Sequence, residues 1–77
     1  MSLAFVLVSA HPGAETRVLE ALRGIPELSD VQPLYGEYDF ICKVRGDDLS
    51  SVGGIVIDRI RRLPGVTETR TLPVSRV

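Results

Sequence analysis

The chain contains no tryptophan and no asparagine, and it has only one cysteine, one histidine and one lysine: Cys42, His11 and Lys43. A single cysteine excludes an internal disulfide framework and a cysteine-only zinc cluster. Cys42 and His11 are also too far apart in the sequence for the usual spacing of metal ligands. The sequence therefore predicts a protein without a resident metal or cofactor.

An excess of charge of one sign is also missing, since nine basic residues stand against ten acidic ones and the formal net charge is −1. A nearly neutral domain is not typical of proteins that bind nucleic acid through a broad basic surface. Arg59, Arg61 and Arg62 form a small basic cluster on a predicted helix. We interpret this cluster as a solvated helix face.

Long hydrophobic runs are absent as well. No apolar segment approaches the roughly 20 residues of a membrane-spanning helix, which argues against a membrane partner. The apolar stretch 3–8 is followed by Ser9 and Ala10 in the manner of a signal peptide, but neither lysine nor arginine precedes it. We interpret the stretch as a buried strand of a cytoplasmic protein.

The length of the chain is sufficient for one domain, which we assign to residues 1–77. A hydrophobic content of 44% excludes disorder by composition. A domain of this size buries only about 60% of the surface of its unfolded chain, so it is marginally stable alone. Because disulfides and metals are excluded, oligomerisation is the leading way to add buried surface.

Hydrophobic periodicity predicts six elements in the order β-α-β-β-α-β. The predicted strands are 3–8, 31–35, 38–45 and 66–74, and the predicted helices are 14–25 and 49–63. Gly36–Glu37 is a connection of hairpin length between the second and third strands. The apolar stripes predicted to face the core are Ala14, Val18, Ala21, Leu22 and Ile25 in the first helix and Leu49, Val52, Val56, Ile60 and Leu63 in the second. Asp47 and Asp48 can cap the second helix, inside which Gly53–Gly54 predicts close packing onto the sheet.

Two β-α-β halves joined by a hairpin predict a ferredoxin-like α+β fold, in which a four-stranded antiparallel sheet carries both helices on one face. Alternation along the third strand assigns its side chains to opposite faces. Those predicted to face the helices are Tyr38, Phe40, Cys42 and Val44, and those predicted to face away are Asp39, Ile41, Lys43 and Arg45.

The first strand is apolar on both of its faces, so the sheet face without helices, here called the open face, also needs a cover. A second copy of the sheet supplies this cover most simply, with Phe5 and Ile41 in the interface. The sequence thus predicts a homodimeric α/β sandwich or barrel.

The segment 35–39 is the richest in chemistry, because two aromatic side chains, a glycine and two carboxylates share one connection. On the open face a second subunit would bury Asp39, and a buried carboxylate needs a partner. One candidate is the ammonium group of a small zwitterion whose carboxylate meets backbone N–H groups at Gly36. The alternative is that Glu37 and Asp39 are solvated or pair with arginines of neighbouring strands.

Three sequence features together resemble a known family. They are Gly36-Glu37-Tyr38-Asp39-Phe40, then Leu63-Pro64-Gly65-Val66, then Thr69-Arg70-Thr71. Their order within a β-α-β-β-α-β chain is similar to that in the effector-sensing domain of the Lrp/AsnC transcriptional regulators. This domain is also called RAM, for regulation of amino acid metabolism. The resemblance extends from Phe5 to Val74.

The resemblance implies a homodimer through the sheets that assembles further into tetramers, octamers or larger rings. It also implies small effectors, usually amino acids, bound between neighbouring dimers. The residues that would line the effector pocket are Tyr35, Gly36, Tyr38 and Asp39, with Thr69 and Thr71 nearby.

Full-length members of the family carry an N-terminal helix-turn-helix, whereas this chain begins at the first sensing strand. We therefore expect a stand-alone sensing and oligomerisation domain that is not an enzyme and does not bind DNA directly. Such a domain could act alone or with full-length Lrp/AsnC-type regulators.

Three other classes share this order of elements. Small dimeric ferredoxin-like enzymes, oxygenases and isomerases among them, hold substrate between sheet and helices, and ACT-like modules bind amino acids in a different assembly. RNA-binding domains of the RRM type display aromatic residues on exposed central strands, where this chain is predicted to carry Asp39, Ile41 and Lys43. An enzyme is disfavoured because His11 lies on a predicted loop and Cys42 under the helices.

Overall fold

The computed structural model describes residues 1–75, which form four strands and two helices. The strands make one antiparallel sheet in the order β2-β3-β1-β4. The predicted ferredoxin-like α+β fold is confirmed. The elements are β1 (Ser2–Ala10), α1 (Glu15–Arg23), β2 (Leu28–Pro33), β3 (Phe40–Gly46), α2 (Leu49–Ile55), which continues as a π-helical turn (Val56–Ile60), and β4 (Val66–Pro73).

The hydrophobic core lies between the sheet and both helices. On β1, Ala4, Val6 and Val8 are completely buried, and on β3 the buried residues are Phe40, Cys42 and Val44. The helices contribute Val18, Leu22, Val52, Val56 and Ile60 to the same cluster. The alternation predicted for the third strand is therefore confirmed from Phe40 onward, and both helices cover one face.

The first helix begins and ends where its signals predict, with Glu15 in the first turn and Gly24 following its last residue. It packs closely over the start of β4 at Gly65, whose φ is +94°. A Cβ atom at this position would lie 2.9 Å from the Cβ of Ala14, so a larger residue would be strained and would clash with the helix.

The second helix starts at a capping residue, since the Asp48 carboxylate accepts the Ser51 N–H at 2.8 Å. Two expectations for this helix are wrong. Leu49 is 55% exposed rather than part of the buried stripe. A Cβ at Gly53 or Gly54 would meet no atom within 4 Å, so these glycines do not mark close packing.

The hairpin between β2 and β3 differs from its prediction. β2 ends at Pro33 and β3 begins at Phe40, so residues 34–39 form a loop instead of the two-residue turn Gly36–Glu37. The pairing of β2 with β3 shifts register between Ser29 and Gln32, around Asp30 with its φ of +50°. β2 spans Leu28–Pro33, whereas the sequence predicts a strand over residues 31–35.

The open face carries larger side chains than the covered one. Leu3, Phe5 and Leu7 of β1 alternate with buried residues and are half-buried, as is Ile41 next to Leu7 in the β1–β3 register. Beside them, the Lys43 ammonium pairs with the Asp30 carboxylate at 2.9 Å and lies 5.8 Å from the centre of the Phe5 ring. Within residues 1–75, no helix is long and apolar enough to cross a membrane.

Candidate functional site

The loop 34–39, here called the hairpin loop, is anchored where it meets β3. The Leu34 N–H donates to the Asp39 carbonyl at 2.8 Å, and the Asp39 N–H donates to the Val8 carbonyl at 2.9 Å. Between these anchors Tyr35 is fully exposed, and Gly36 adopts a φ of +121° that favours glycine. The loop thus presents an aromatic side chain and a glycine backbone to solvent.

The carboxylate of Asp39 has a structural contact of its own. Its Oδ2 accepts the Ala10 N–H at 2.8 Å, at the point where β1 leaves the sheet ladder. The side chain turns toward the end of β1. This bond uses one carboxylate oxygen, and the Oδ1 atom has no hydrogen-bond partner within residues 1–75.

Tyr38 departs from its prediction, because it precedes β3 and does not share the alternation of Phe40. It is half-buried, and its hydroxyl donates to Oε2 of Glu68 at 3.3 Å. The Ser9 hydroxyl donates to the Glu37 carbonyl at 3.5 Å. These contacts attach the hairpin loop to the end of β1 and the start of β4.

The threonines of β4 lie on the other side of the sheet. Thr69 and Thr71 pair in register with Val8 and Val6, whose side chains face the helices. Register partners share a sheet face. Both threonine side chains are therefore on the helix side, away from the Tyr38–Glu68 contact.

The backbone N–H and C=O groups of these threonines point away from β1. The Val74 N–H donates to the Leu3 carbonyl at 2.9 Å, so the polar groups of Val74 point toward β1. Polar groups of alternate residues in a strand point to opposite sides. The N–H and C=O groups of Thr69 and Thr71 consequently lie along the outer edge of β4, which has no neighbouring strand within residues 1–75.

A groove of about 310 Å³ runs between the second helical segment and β4 on the helix side of the sheet. It is lined by Leu49, Gly53, Ile57 and Arg61 of the helical segment and by Thr69, Thr71 and Pro73 of β4, and it is here called the β4 groove. A recess of about 330 Å³ continues from it along the strand edge and shares Arg61 and Thr69. The lining combines apolar side chains with one cation and free backbone groups.

The predicted effector residues therefore fall into two separate patches of one chain. The hairpin loop holds Tyr35, Gly36, Tyr38 and Asp39, whereas Thr69 and Thr71 lie in the β4 groove on the opposite side of the sheet. The sequence interpretation missed the helical side of this groove. Its signal was a second stripe at every fourth residue, namely Leu49, Gly53, Ile57 and Arg61.

The single thiol of the chain lies outside both patches. Cys42 is completely buried, and this burial raises the pKa of its thiol from 9.0 to about 11. A thiol of this kind is a poor nucleophile at neutral pH. Within the described part of the chain, no three His, Cys, Asp or Glu side chains are grouped so that they could hold a metal ion.

The family model described as the Lrp/AsnC ligand binding domain matches residues 3–77. The chain belongs to this family. An uncharacterised HTH-type transcriptional regulator of Pyrococcus abyssi is 36% identical over 72 residues, which cover 90% of this chain and 48% of the regulator. The chain thus spans about half the length of the curated relatives it matches.

Solved structures agree with this assignment. The crystal structure of FFRP-DM1 superposes with a TM-score of 0.90 at 35% identity, covering 97% of this chain and 100% of that one. A transcriptional regulator from Neisseria meningitidis, crystallised as an L-Met complex, superposes with a TM-score of 0.84 at 23% identity, covering 97% of this chain and 50% of that one. The latter identity supports the fold alone.

Proposed function

We propose that this chain is an amino-acid-sensing and oligomerisation domain, which binds small amino-acid effectors between copies of itself. In this proposal, two chains pair through their open faces, with Phe5 and Ile41 in the interface, and these dimers associate into tetramers or larger assemblies. The protein acts in the cytoplasm, alone or together with full-length Lrp/AsnC-type regulators.

The observation that carries this proposal is the separation of the two patches. The hairpin loop and the β4 groove lie on opposite sides of one sheet, so a single chain does not bring Asp39 and Thr69 to one ligand. The loop of one copy reaching the groove of another copy would complete the site. Ligand binding then depends on assembly, because the site exists only where two dimers meet.

The chemistry of the two patches suits a zwitterion with an apolar side chain. Asp39 offers its Oδ1 atom to an ammonium group, and the exposed Gly36 adds backbone polar groups in the same loop. The apolar surfaces of Leu49, Ile57 and Pro73 would cover the side chain of the effector. The Neisseria regulator in complex with L-Met provides a precedent for such a ligand on the same fold.

A shared site also explains how an effector could act as a signal. A ligand changes an equilibrium only if it binds one state more tightly than the other. An effector bound between dimers stabilises the larger assembly, while separated dimers have no complete site. The readout of effector concentration in this proposal is therefore the number of subunits.

The test compares Asp39→Asn with Glu37→Gln, two loop variants that each remove one negative charge. An asparagine oxygen still accepts the Ala10 N–H, so the first variant keeps the end of β1 in place while it loses the carboxylate for the ammonium group. Native mass spectrometry with an equimolar mixture of the twenty L-amino acids reports subunit number and ligand together. We expect Asp39→Asn to bind the ligand at least tenfold more weakly than the unmodified chain does and to remain dimeric.

Glu37→Gln is expected to bind like the unmodified chain, because the Glu37 contact in the structure uses its carbonyl oxygen. Two results would contradict the proposal. If the unmodified chain retains no component of the mixture, it is not an amino-acid sensor. If Asp39→Asn retains the same component equally well, the loop is not the ammonium site.

A further inference from the structure

Arg61 is a cation at the junction of the two recesses beside β4. It lines both the β4 groove and the recess along the strand edge, and it shares both positions with Thr69. Glu68 also borders the recess, with its carboxylate bonded to the Tyr38 hydroxyl at 3.3 Å. A small molecule in the groove would therefore meet the Arg61 guanidinium and the outward backbone groups of Thr69 together.

The three arginines of the helical cluster are not equivalent in the structure. The Arg59 guanidinium forms a surface ion pair with the Glu27 carboxylate at 3.1 Å, so its charge already has a partner. Arg62 is exposed and does not line the groove. The Arg61 guanidinium has no ion-pair or hydrogen-bond partner within residues 1–75, so it is the member of the cluster with a free charge beside a recess.

The π-helical turn gives Arg61 this position. In a regular α-helix, a step of four residues exceeds one full turn by about 40°. Residues at every fourth position therefore rotate gradually around the helix and no longer share one face after three such steps. Here Arg61 donates its N–H to Val56, five residues earlier, at 2.9 Å, and this wider turn reverses the drift. Two stripes are thereby kept aligned: Val52, Val56 and Ile60 in the core, and Leu49, Gly53, Ile57 and Arg61 along the groove.

We propose that Arg61 binds the carboxylate of the effector, which makes a free carboxylate a requirement for binding. The proposal rests on the function proposed above and adds the ionic anchor of the site. Backbone N–H groups offer hydrogen bonds, whereas a guanidinium binds a carboxylate through two parallel charge-assisted bonds. The ammonium group then points to Asp39 of the neighbouring copy, and the side chain of the effector lies along Ile57 and Leu49.

The experiment combines a change in the protein with a change in the ligand. The unmodified chain and Arg61→Gln are each titrated in native mass spectrometry with two probes, an equimolar mixture of the twenty L-amino acids and a mixture of their C-terminal amides. Arg62→Gln is the matched control, because it removes the neighbouring exposed charge without touching the groove. Arg61→Lys retains a cation without the planar fork.

The unmodified chain should bind one or more amino acids at least tenfold more tightly than their amides. Arg61→Gln should weaken amino-acid binding about ten- to a hundredfold and reduce the preference over the amide, while Arg61→Lys recovers part of it. Arg62→Gln should bind like the unmodified chain. Spectra recorded without ligand verify that each variant still forms dimers.

The inference and the proposed function fail in different ways. If the unmodified chain binds an amino acid and Arg61→Gln keeps both its affinity and its preference over the amide, Arg61 is not the anchor and the sensor assignment stands. If the unmodified chain binds the amides as tightly as the amino acids, Arg61 is again not the anchor and the sensor assignment stands. If it binds nothing from either mixture, both proposals fail.

Discussion

The two faces of the sheet are formed by alternate residues of the same strands, yet a single chain covers only one of them. Ala4, Val6 and Val8 are small and completely buried under the helices. The side chains of Leu3, Phe5 and Leu7 are larger than those of the covered residues and remain half-exposed on the open face. The covered face is thus adapted to close helix packing, whereas the open face has the bulky apolar surface that an interface between proteins requires.

The largest expected effect tests the covered face. Leu22 is completely buried between α1 and the sheet, so Leu22→Ala leaves a cavity and should lower the free energy of unfolding by about 2–5 kcal/mol. For a domain of this size, such a loss is a large fraction of the total stability. Urea titration followed by circular dichroism measures it, and a loss below about 1 kcal/mol would indicate that the helices cover this face only loosely.

The next prediction tests the open face with a charge at its centre. Ile41→Asp should raise the dissociation constant of the dimer about a hundredfold, because it replaces an apolar contact with a carboxylate that the second sheet would bury. Ile57→Asp is the matched control, since Ile57 is 54% exposed on the helix side. Sedimentation at micromolar concentration should give single chains for the first variant and dimers for the second. Dimers in both would contradict a sheet-to-sheet dimer.

The third prediction concerns neighbouring residues that belong to opposite faces. Burial raises the pKa of the Cys42 thiol from 9.0 to about 11, while Lys43, the next residue, is ion-paired on the open face. The unfolded chain then releases the thiol proton first as the pH rises. The stability contributed by the neutral thiol is complete below pH 9 and is lost between pH 9 and about 11, at up to about 1.4 kcal/mol per pH unit.

Cys42→Ala isolates this effect, because its other titrating groups are those of the unmodified chain. The variant should be less stable at pH 8, since it removes a buried side chain, but the difference between the two proteins should shrink as the pH rises from 9 to 11. Denaturant titrations at each pH provide the comparison. A constant difference over this range would show that the thiol is accessible to water in the folded protein.

The smallest expected effect concerns the N-terminus of α2, at one end of the helical layer. The pKa of Asp48 is lowered by the hydrogen bond from the Ser51 N–H, so its charge stabilises the fold above pH 3.8 and loses this effect as the pH falls through the lower folded value. Asp48→Asn keeps a capping oxygen that does not titrate. Thermal unfolding of the variant should show a slightly weaker dependence on pH between about 2 and 5, and an unchanged dependence would contradict the charged cap.

Most of the fold was predictable because it depends on local patterns. Strand alternation placed Phe40, Cys42 and Val44 in the core, helical periodicity placed Val18 and Leu22 there, and both patterns act over a few residues. The six elements and their order follow from these patterns. The aspartate cap is also a local signal, since donor and acceptor are three residues apart.

The errors occur where contacts between distant residues decide the conformation. The start of β3 and the direction of Asp39 depend on its bond to Ala10, 29 residues away, and Tyr38 is held by Glu68, 30 residues away. Alternation extrapolated through the loop therefore assigned Tyr38 to the wrong side. The open space beside Gly53–Gly54 likewise depends on how the helix lies over the sheet.

Local patterns in the chain specify the element order, the identity of the core face and the family motif, because side-chain periodicity and turn residues act within one or two turns of the chain. Long-range packing produces the bulge at Asp30, the π-helical turn and the separation of the loop from the β4 groove. Each of these depends on elements that are distant in sequence. Packing is a collective property of the folded chain, and no local pattern specifies it.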